Sequence, residues 1–243
     1  MSLDHAPATG HTPDLGSDLP VPEFFQTLES ATASDRQQLY AAPIIQAALR
    51  ARITREDYIA FLGQAYHHVR HTVPLLMACG ARLGPDYEWL RVHVAHYIEE
   101  EIGHQEWILK DITAAGGDAE LARNTPPLPA TELMVAYAWD TIQRGNPVGF
   151  FGMVFVLETT STELASLAAG TLQNSLGLPR NAFTYLNSHG ALDIEHVAFF
   201  KQLVGALPSA ADRAAVLHAA RMFFRLYGDV FRALKAAEPE GGA

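Results

Sequence analysis

The chain has 243 residues, of which 49% are hydrophobic and 18% are charged, so it can bury the core of one globular domain. Its formal net charge of −10 would repel a phosphate backbone, which argues against a nucleic acid partner. The one cysteine, Cys79, excludes a disulfide within the chain and a zinc site built from several thiolates. Any metal ion must therefore be held by histidines and carboxylates.

The two ends of the chain have the composition of unstructured segments. Residues 1–22 are rich in Pro, Gly, Asp and Ser and lack the basic start and apolar run of a signal peptide, so we expect a flexible leader. Residues 238–243, EPEGGA, predict a disordered tail. Because no segment approaches the roughly 20 apolar residues of a membrane-spanning helix, we expect a soluble, cytoplasmic protein that does not bind membranes.

Helical periodicity runs through the chain from Glu23 onward, with proline and glycine between the periodic segments. We expect Pro43 to break or bend the second helix, and Thr54 to begin a helix in a capping box with Asp57. Neither strand-like alternation nor an internal repeat competes with this interpretation. The pattern therefore predicts an all-α bundle of seven or eight helices, with one domain over residues 23–237.

Two predicted helix boundaries bear directly on the candidate site. The stretch from Pro85 to Gly117 reads as one long helix that ends at a glycine pair. Further along the chain, Asn187 or Ser188 is placed to cap the start of another helix.

Two of the helical segments carry side chains that could bind a metal ion. Glu101 and His104 form an E-x-x-H pair, which would place both on one helix face about one turn apart. Glu158 is a lone carboxylate in a largely apolar helical stripe, where burying an unpaired charge costs on the order of several kcal/mol. Alternatively, the first pair belongs to a solvated surface, and Glu158 pairs with an arginine or faces a subunit boundary.

The third segment, NSHGALDIEH, contains the pattern H-x-x-x-D-x-x-H. At roughly 100° per residue, His189, Asp193 and His196 fall within a sector of about 60° on one side of a helix. The alternative is a capped helix start in which His189 and Asp193 pair in solvent and His196 packs in the core.

Together the three segments supply three carboxylates and three imidazoles, which suit Fe(II) or Mn(II) better than a structural zinc ion. Six ligands are too many for one open catalytic ion, but they suit two ions that share bridging carboxylates and leave positions for O2. The predicted metal ligands and catalytic residues are Glu101, His104, Glu158, His189, Asp193 and His196.

The order of these residues resembles that of the heme-oxygenase-like diiron oxidases, a branch of the helical superfamily that also holds TenA-type thiaminases and pyrroloquinoline-quinone synthase C. Members carry a Glu and a His on one helix, then a lone carboxylate, then H-x-x-x-D-x-x-H. The resemblance covers the helical body and implies that the six residues bind two metal ions.

The resemblance leaves some ligands open. The first carboxylate is Glu101 in the E-x-x-H pattern, but Glu100 is its neighbour. Some members place this ligand seven residues before the histidine, where the present chain has Tyr97. Relatives also draw a ligand from the preceding core helix, where the present chain offers His67, His68 and His71 but no glutamate, with His68 as the candidate.

The resemblance implies O2 activation at a reduced diiron centre, with Mn as an alternative at one site, and oxidation of a small organic substrate. Amines, amino acids and fatty acids are the substrate classes it suggests, and we expect a homodimer. A metal-free TenA-like enzyme would need an activated cysteine, whereas Cys79 is more consistent with a small buried residue. A quinone-synthase-like enzyme would need an inward basic cluster. A non-catalytic helical regulatory or interaction protein is the remaining alternative.

Overall fold

The described part of the polypeptide is built from helices joined by short turns. A computed structural model describes residues 23–234, apart from the side chains of residues 165–169, 171 and 189–196. Within this part of the chain there are twelve α-helices and three short 3-10 helices, and no strand. The predicted all-α architecture is therefore confirmed. The α-helices are α1 (Glu23–Ala31), α2 (Ala33–Tyr40), α3 (Pro43–Leu49), α4 (Arg55–Val69), α5 (Thr72–Arg82), α6 (Glu88–Glu101), α7 (His104–Ala114), α8 (Ala119–Asn124), α9 (Pro129–Gln143), α10 (Phe151–Leu176), α11 (Thr184–Gly205) and α12 (Ala210–Ala233).

The described residues form more helices than the seven or eight predicted, because several long periodic segments are divided. Pro43 begins α3 after α2 has ended at Tyr40, so the proline breaks the helix as expected. A second division lies between Val69 and Thr72. Pro74 then falls in the first turn of α5, where the N–H that proline lacks would have had no partner within the helix.

The capping box predicted at the start of α4 is confirmed. The Thr54 hydroxyl accepts a hydrogen bond from the backbone N–H of Asp57 at 3.1 Å. In return, the Asp57 carboxylate accepts one from the backbone N–H of Thr54 at 2.8 Å. Two N–H groups without partners inside the helix are thereby satisfied.

The predicted start of the helix near Asn187 or Ser188 is wrong, because α11 already begins at Thr184. The reason lies in another helix. The Asp111 carboxylate on α7 accepts a hydrogen bond from the backbone N–H of Tyr185 at 2.7 Å. A distant acceptor therefore satisfies the first turn of α11, in place of a local capping side chain.

The helix α10 lies against α11 and α12 and carries part of the hydrophobic core on Phe151, Phe155 and Val156. It approaches α12 so closely at Gly152 that a Cβ there would lie 2.5 Å from the backbone nitrogen of Ala220. Because α10 is packed on several sides, its polar residue Glu158 is carried into the interior of the protein.

The described residues do not include the two ends of the chain, so the expectations for these ends are not tested. The predicted leader, residues 1–22, and the predicted tail, residues 238–243, lie outside the described residues. The single domain over residues 23–237 stays a prediction. None of the described helices combines the length and the apolar character that crossing a bilayer requires.

Candidate metal centre

Glu101 and His104 flank a sharp turn between two helices, so the prediction that they share one helix is wrong. Glu101 is the last residue of α6 and His104 is the first residue of α7. Between them, Gly103 has a φ of +93°, which glycine adopts without the steric penalty of a Cβ. The turn still brings Oε2 of Glu101 to 3.1 Å from Nδ1 of His104.

The His104 ring is held in a defined orientation. Its side chain is 2% exposed, and its ring centroid lies 4.1 Å from that of Trp107. A carboxylate beside Nδ1 favours the tautomer that carries its proton there, and this tautomer can offer Nε2 to a metal ion. The Glu101 side chain is itself only 12% exposed.

Glu101 and Glu158 line the same cavity of about 80 Å³, which we call the acidic cavity. His68 and Tyr97 also line it, and most of its other walls are apolar or aromatic. Glu158 is 9% exposed, and both His68 and Tyr97 are 2% exposed. The structure therefore brings together carboxylates from α6 and α10 with an imidazole from α4.

Tyr97 lies close enough to the Glu158 carboxylate for the two groups to interact electrostatically. Burial is the largest cause that raises the pKa of Tyr97 well above its ordinary value, and Glu158 raises it further. The phenol thus stays protonated and can donate to Glu158. Tyr97 occupies the position, seven residues before His104, at which the resemblance implies a carboxylate ligand in some members. In the structure, Tyr97 lines the acidic cavity.

The structure separates the neighbouring ligand candidates. Glu100 is not among the residues that line the acidic cavity, and its Oε1 lies 3.4 Å from Nε2 of His96. His68 lines the acidic cavity, whereas His67 lines a separate groove with Trp139. The geometry therefore favours Glu101 over Glu100 and His68 over His67.

Three predicted ligands lie in α11 and have side chains outside the described residues: His189, Asp193 and His196. Described residues on either side of them locate this stretch of helix. Tyr185 lines the acidic cavity, and the Phe199 ring centroid lies 5.4 Å from that of Tyr97. The helix therefore passes beside the acidic cavity between these two contacts.

The donor types around the acidic cavity fit iron. Among the described side chains, no group of three or more His, Cys, Asp or Glu residues is arranged to hold a metal ion. Two carboxylates and the His68 imidazole nevertheless line one buried cavity, and the His104 imidazole contacts the Glu101 carboxylate. Oxygen and imidazole donors without thiolate are typical of Fe(II) and Mn(II) sites.

Cys79 has the properties of a packed core residue. It is fully buried, and its Sγ lies 3.4 Å from the backbone oxygen of Pro147. Burial raises the pKa of the Cys79 thiol to about 12. A thiol of this kind is not an activated nucleophile.

No sequence pattern predicts that Ser161, Tyr185 and Tyr227 line the acidic cavity. They come from α10, α11 and α12, far apart in the chain. Nothing in their local sequence distinguishes them from other core-facing residues, because only the packing of the three helices brings them together.

The described helices form a heme-oxygenase-like fold, as several solved structures show. A domain of unknown function with this fold from Shewanella denitrificans OS217 has a TM-score of 0.78 at 23% identity, covering 86% of the present chain and 91% of that chain. A TenA homologue from Pseudomonas syringae pv. tomato has a TM-score of 0.71 at 14% identity, covering 88% and 93%. Heme oxygenase-1 from Synechocystis, solved with heme, has a TM-score of 0.68 at 12% identity, covering 88% and 93%.

The chain belongs to the iron-containing redox enzyme family, whose model matches residues 59–228. This confirms the heme-oxygenase-like family predicted from the sequence, a family of iron-containing redox enzymes. The matched segment includes all six predicted ligands. No curated protein matches the sequence.

Proposed function

We propose that the protein is a non-heme diiron oxidase or oxygenase, which activates O2 and oxidises a small organic substrate of the amine, amino acid or fatty acid class. The main supporting observation is the acidic cavity, which has Glu101 and Glu158 in its walls and His104 held against Glu101. Carboxylates that face one buried cavity repel each other, and cations bound between them would offset this repulsion.

Under this proposal the described part of the metal site consists of Glu101, His104 and Glu158, and α11 supplies the rest. The helix is continuous from Thr184 to Gly205. At about 100° per residue, positions 189, 193 and 196 lie within about 80° of Tyr185 around the helix axis. Because Tyr185 lines the acidic cavity, this register supports His189, Asp193 and His196 as the remaining ligands.

His68 is a further candidate ligand, because it is buried and lines the acidic cavity. A histidine from α4 at this position would give the site one negative charge fewer than a glutamate would. A mixed set of imidazole and carboxylate donors suits either Fe or Mn at this position. Dimerisation and a cytoplasmic location remain predictions from the sequence.

Bound iron would supply electrons for O2 reduction and open coordination positions for O2 and substrate. The protein's own groups have separate tasks. Glu101 and His104 orient each other across the turn between α6 and α7. The protonated Tyr97 phenol would donate to the nearby Glu158 carboxylate and hold it in position. The apolar walls, among them Phe150 and Met153, exclude water from the site.

Oxygen consumption by the reduced, iron-loaded protein tests this function. We expect uptake that requires both iron and an added substrate in a screen of amines, amino acids and fatty acids. We also expect a transient visible absorption change when the reduced protein meets O2. The substitution His104→Ala should abolish both signals, whereas Glu106→Gln, at an exposed position on the same helix, should retain them. If both variants retained O2 uptake, the assignment of His104 to the metal site would be contradicted.

A further inference from the structure

A second cavity, of about 100 Å³, adjoins the acidic cavity. The two cavities have three wall residues in common: Ser161, Tyr185 and Tyr227. We call the second one the apolar cavity. Because the same side chains form part of both walls, the two cavities lie side by side.

The walls of the apolar cavity are mostly aliphatic. They include Ile44, Ile45, Ala48, Ile53, Leu164 and Leu172. Among its described lining side chains Asp57 alone carries a charge, and its carboxylate accepts the backbone hydrogen bond of the α4 capping box. The apolar cavity therefore suits a hydrocarbon group, because an anionic group inside it would lack a counter-charge and the Asp57 carboxylate already accepts a backbone hydrogen bond.

Tyr227 stands at the boundary between the two cavities. On the acidic side its ring centroid lies 5.6 Å from that of His68, and on the apolar side it lies 4.7 Å from that of Phe231. Phe231 lines only the apolar cavity, and His68 lines only the acidic cavity. The change from polar to apolar surroundings thus occurs across one side chain.

We propose that the apolar cavity binds the hydrocarbon group of the substrate, whose polar end reaches the acidic cavity past Ser161, Tyr185 and Tyr227. The substrate is then an amphipathic molecule with an extended hydrocarbon group and one polar end. This inference rests on the proposed function for the reaction, but binding to the apolar cavity can be measured without it. A short, wholly polar substrate would leave an apolar cavity unfilled beside the site.

Calorimetric titration of the anaerobic, iron-loaded protein with homologous straight-chain carboxylic acids and straight-chain amines tests the proposal. We expect the Kd to fall about fourfold for each added methylene until the apolar cavity is full. The series that binds more tightly at equal chain length identifies the polar end. A Kd that does not depend on chain length in either series would overturn the proposal.

A pair of variants in α3 tests the location of the hydrocarbon group. Ala48→Phe should fill the apolar cavity and weaken binding of the longer chains by about tenfold or more, which corresponds to losing about two methylene contacts. Ala47→Phe is the control, because Ala47 is also half-buried but is not among the residues that line the apolar cavity. Equal weakening by both substitutions would overturn the proposed location.

A second variant acts in the opposite direction, so the proposal remains testable if Ala48→Phe does not fold. Leu164→Ala enlarges the apolar cavity and should move the chain length of tightest binding upward. An unchanged optimum would overturn the proposal.

Metal analysis of the same samples separates this inference from the proposed function. Chain-length-dependent binding by protein that takes up no iron would support the apolar site and contradict the diiron function. Iron-loaded protein that binds all chain lengths equally would overturn the apolar site and leave the diiron function intact.

Discussion

Oε2 of Glu101 lies 3.1 Å from Nδ1 of His104 across the turn that joins α6 to α7. The two residues are three positions apart, but no single helix carries both. Their pairing depends instead on Gly103, whose φ of +93° is rarely adopted by residues with a Cβ. A backbone conformation specific to glycine therefore sets the geometry of one side of the proposed metal site.

Gly103→Ala should lower the free energy of unfolding by about 1–2 kcal/mol through backbone strain, and it should reduce the iron bound per chain. The added Cβ would meet no atom within 4 Å, so crowding does not contribute. Gly63→Ala within α4 also has open space and should instead raise the free energy of unfolding by about 0.5–1 kcal/mol. Urea denaturation and iron analysis measure both effects, and equal iron content in the two variants would contradict the role of the turn.

Glu158→Gln should lower iron content by about tenfold or more while the free energy of unfolding of the metal-free protein is unchanged or higher. The substitution keeps the shape of the side chain and removes a charge that is unfavourable in a buried site. Glu106→Gln, at an exposed position, should leave the iron content unchanged and alter the free energy of unfolding by less than about 1 kcal/mol, because its ion pair with Arg123 is exposed. If Glu158→Gln instead destabilised the metal-free protein and left its iron content intact, Glu158 would be a structural ion-pair residue.

His68→Phe should reduce iron affinity by about tenfold or more, because His68 lines the acidic cavity. The adjacent substitution His67→Phe is the matched control, since His67 is also buried but lines a different groove. Titration of the metal-free variants with Fe(II) under argon gives both affinities. Equal affinities would remove His68 from the site.

His93 should make the protein less stable in mild acid. Burial, more than the charge of His96, lowers the pKa of His93 below 6.5, although the Trp89 backbone oxygen acts in the opposite direction. Below pH 6.5 the unfolded chain therefore binds more protons at His93 than the folded protein does. This contribution to stability is fully present above pH 6.5, and it is lost as the pH falls toward the pKa of His93 in the folded protein. His93→Gln should reduce this loss, and the exposed control His218→Gln should not. Thermal unfolding as a function of pH measures the difference, and equal slopes in the two variants would contradict it.

The part of the fold that was predictable depends on local interactions. The capping box of Thr54 and Asp57 involves residues three positions apart, so the sequence alone identifies it. The start of α11 depends on Asp111, more than seventy residues earlier in the chain, and no local pattern reveals it. The sequence does not reveal the division at Gly103, because one glycine within a periodic segment is compatible with a continuous helix.

The sequence supplies candidate ligands for the proposed site, but it does not supply the walls of the cavity that two of them line. Spacing identified Glu101 and His104, and one carboxylate in an apolar stripe identified Glu158. The structure places both glutamates on one cavity although the helix predicted for the first pair is divided. Tyr185 and Tyr227 belong to the walls only because α11 and α12 pack beside α10, which helical periodicity does not determine.

Iron analysis is the most direct test of the diiron site, with protein expressed in iron-supplemented medium and assayed for heme in parallel. The proposed site predicts close to two iron ions per chain without heme in the wild-type protein. His196→Ala should lose iron, whereas Glu195→Ala should retain it, because adjacent helical positions differ by about 100° around the axis. A metal-free protein, iron present as heme, or equal loss of iron from the two variants would contradict the diiron assignment.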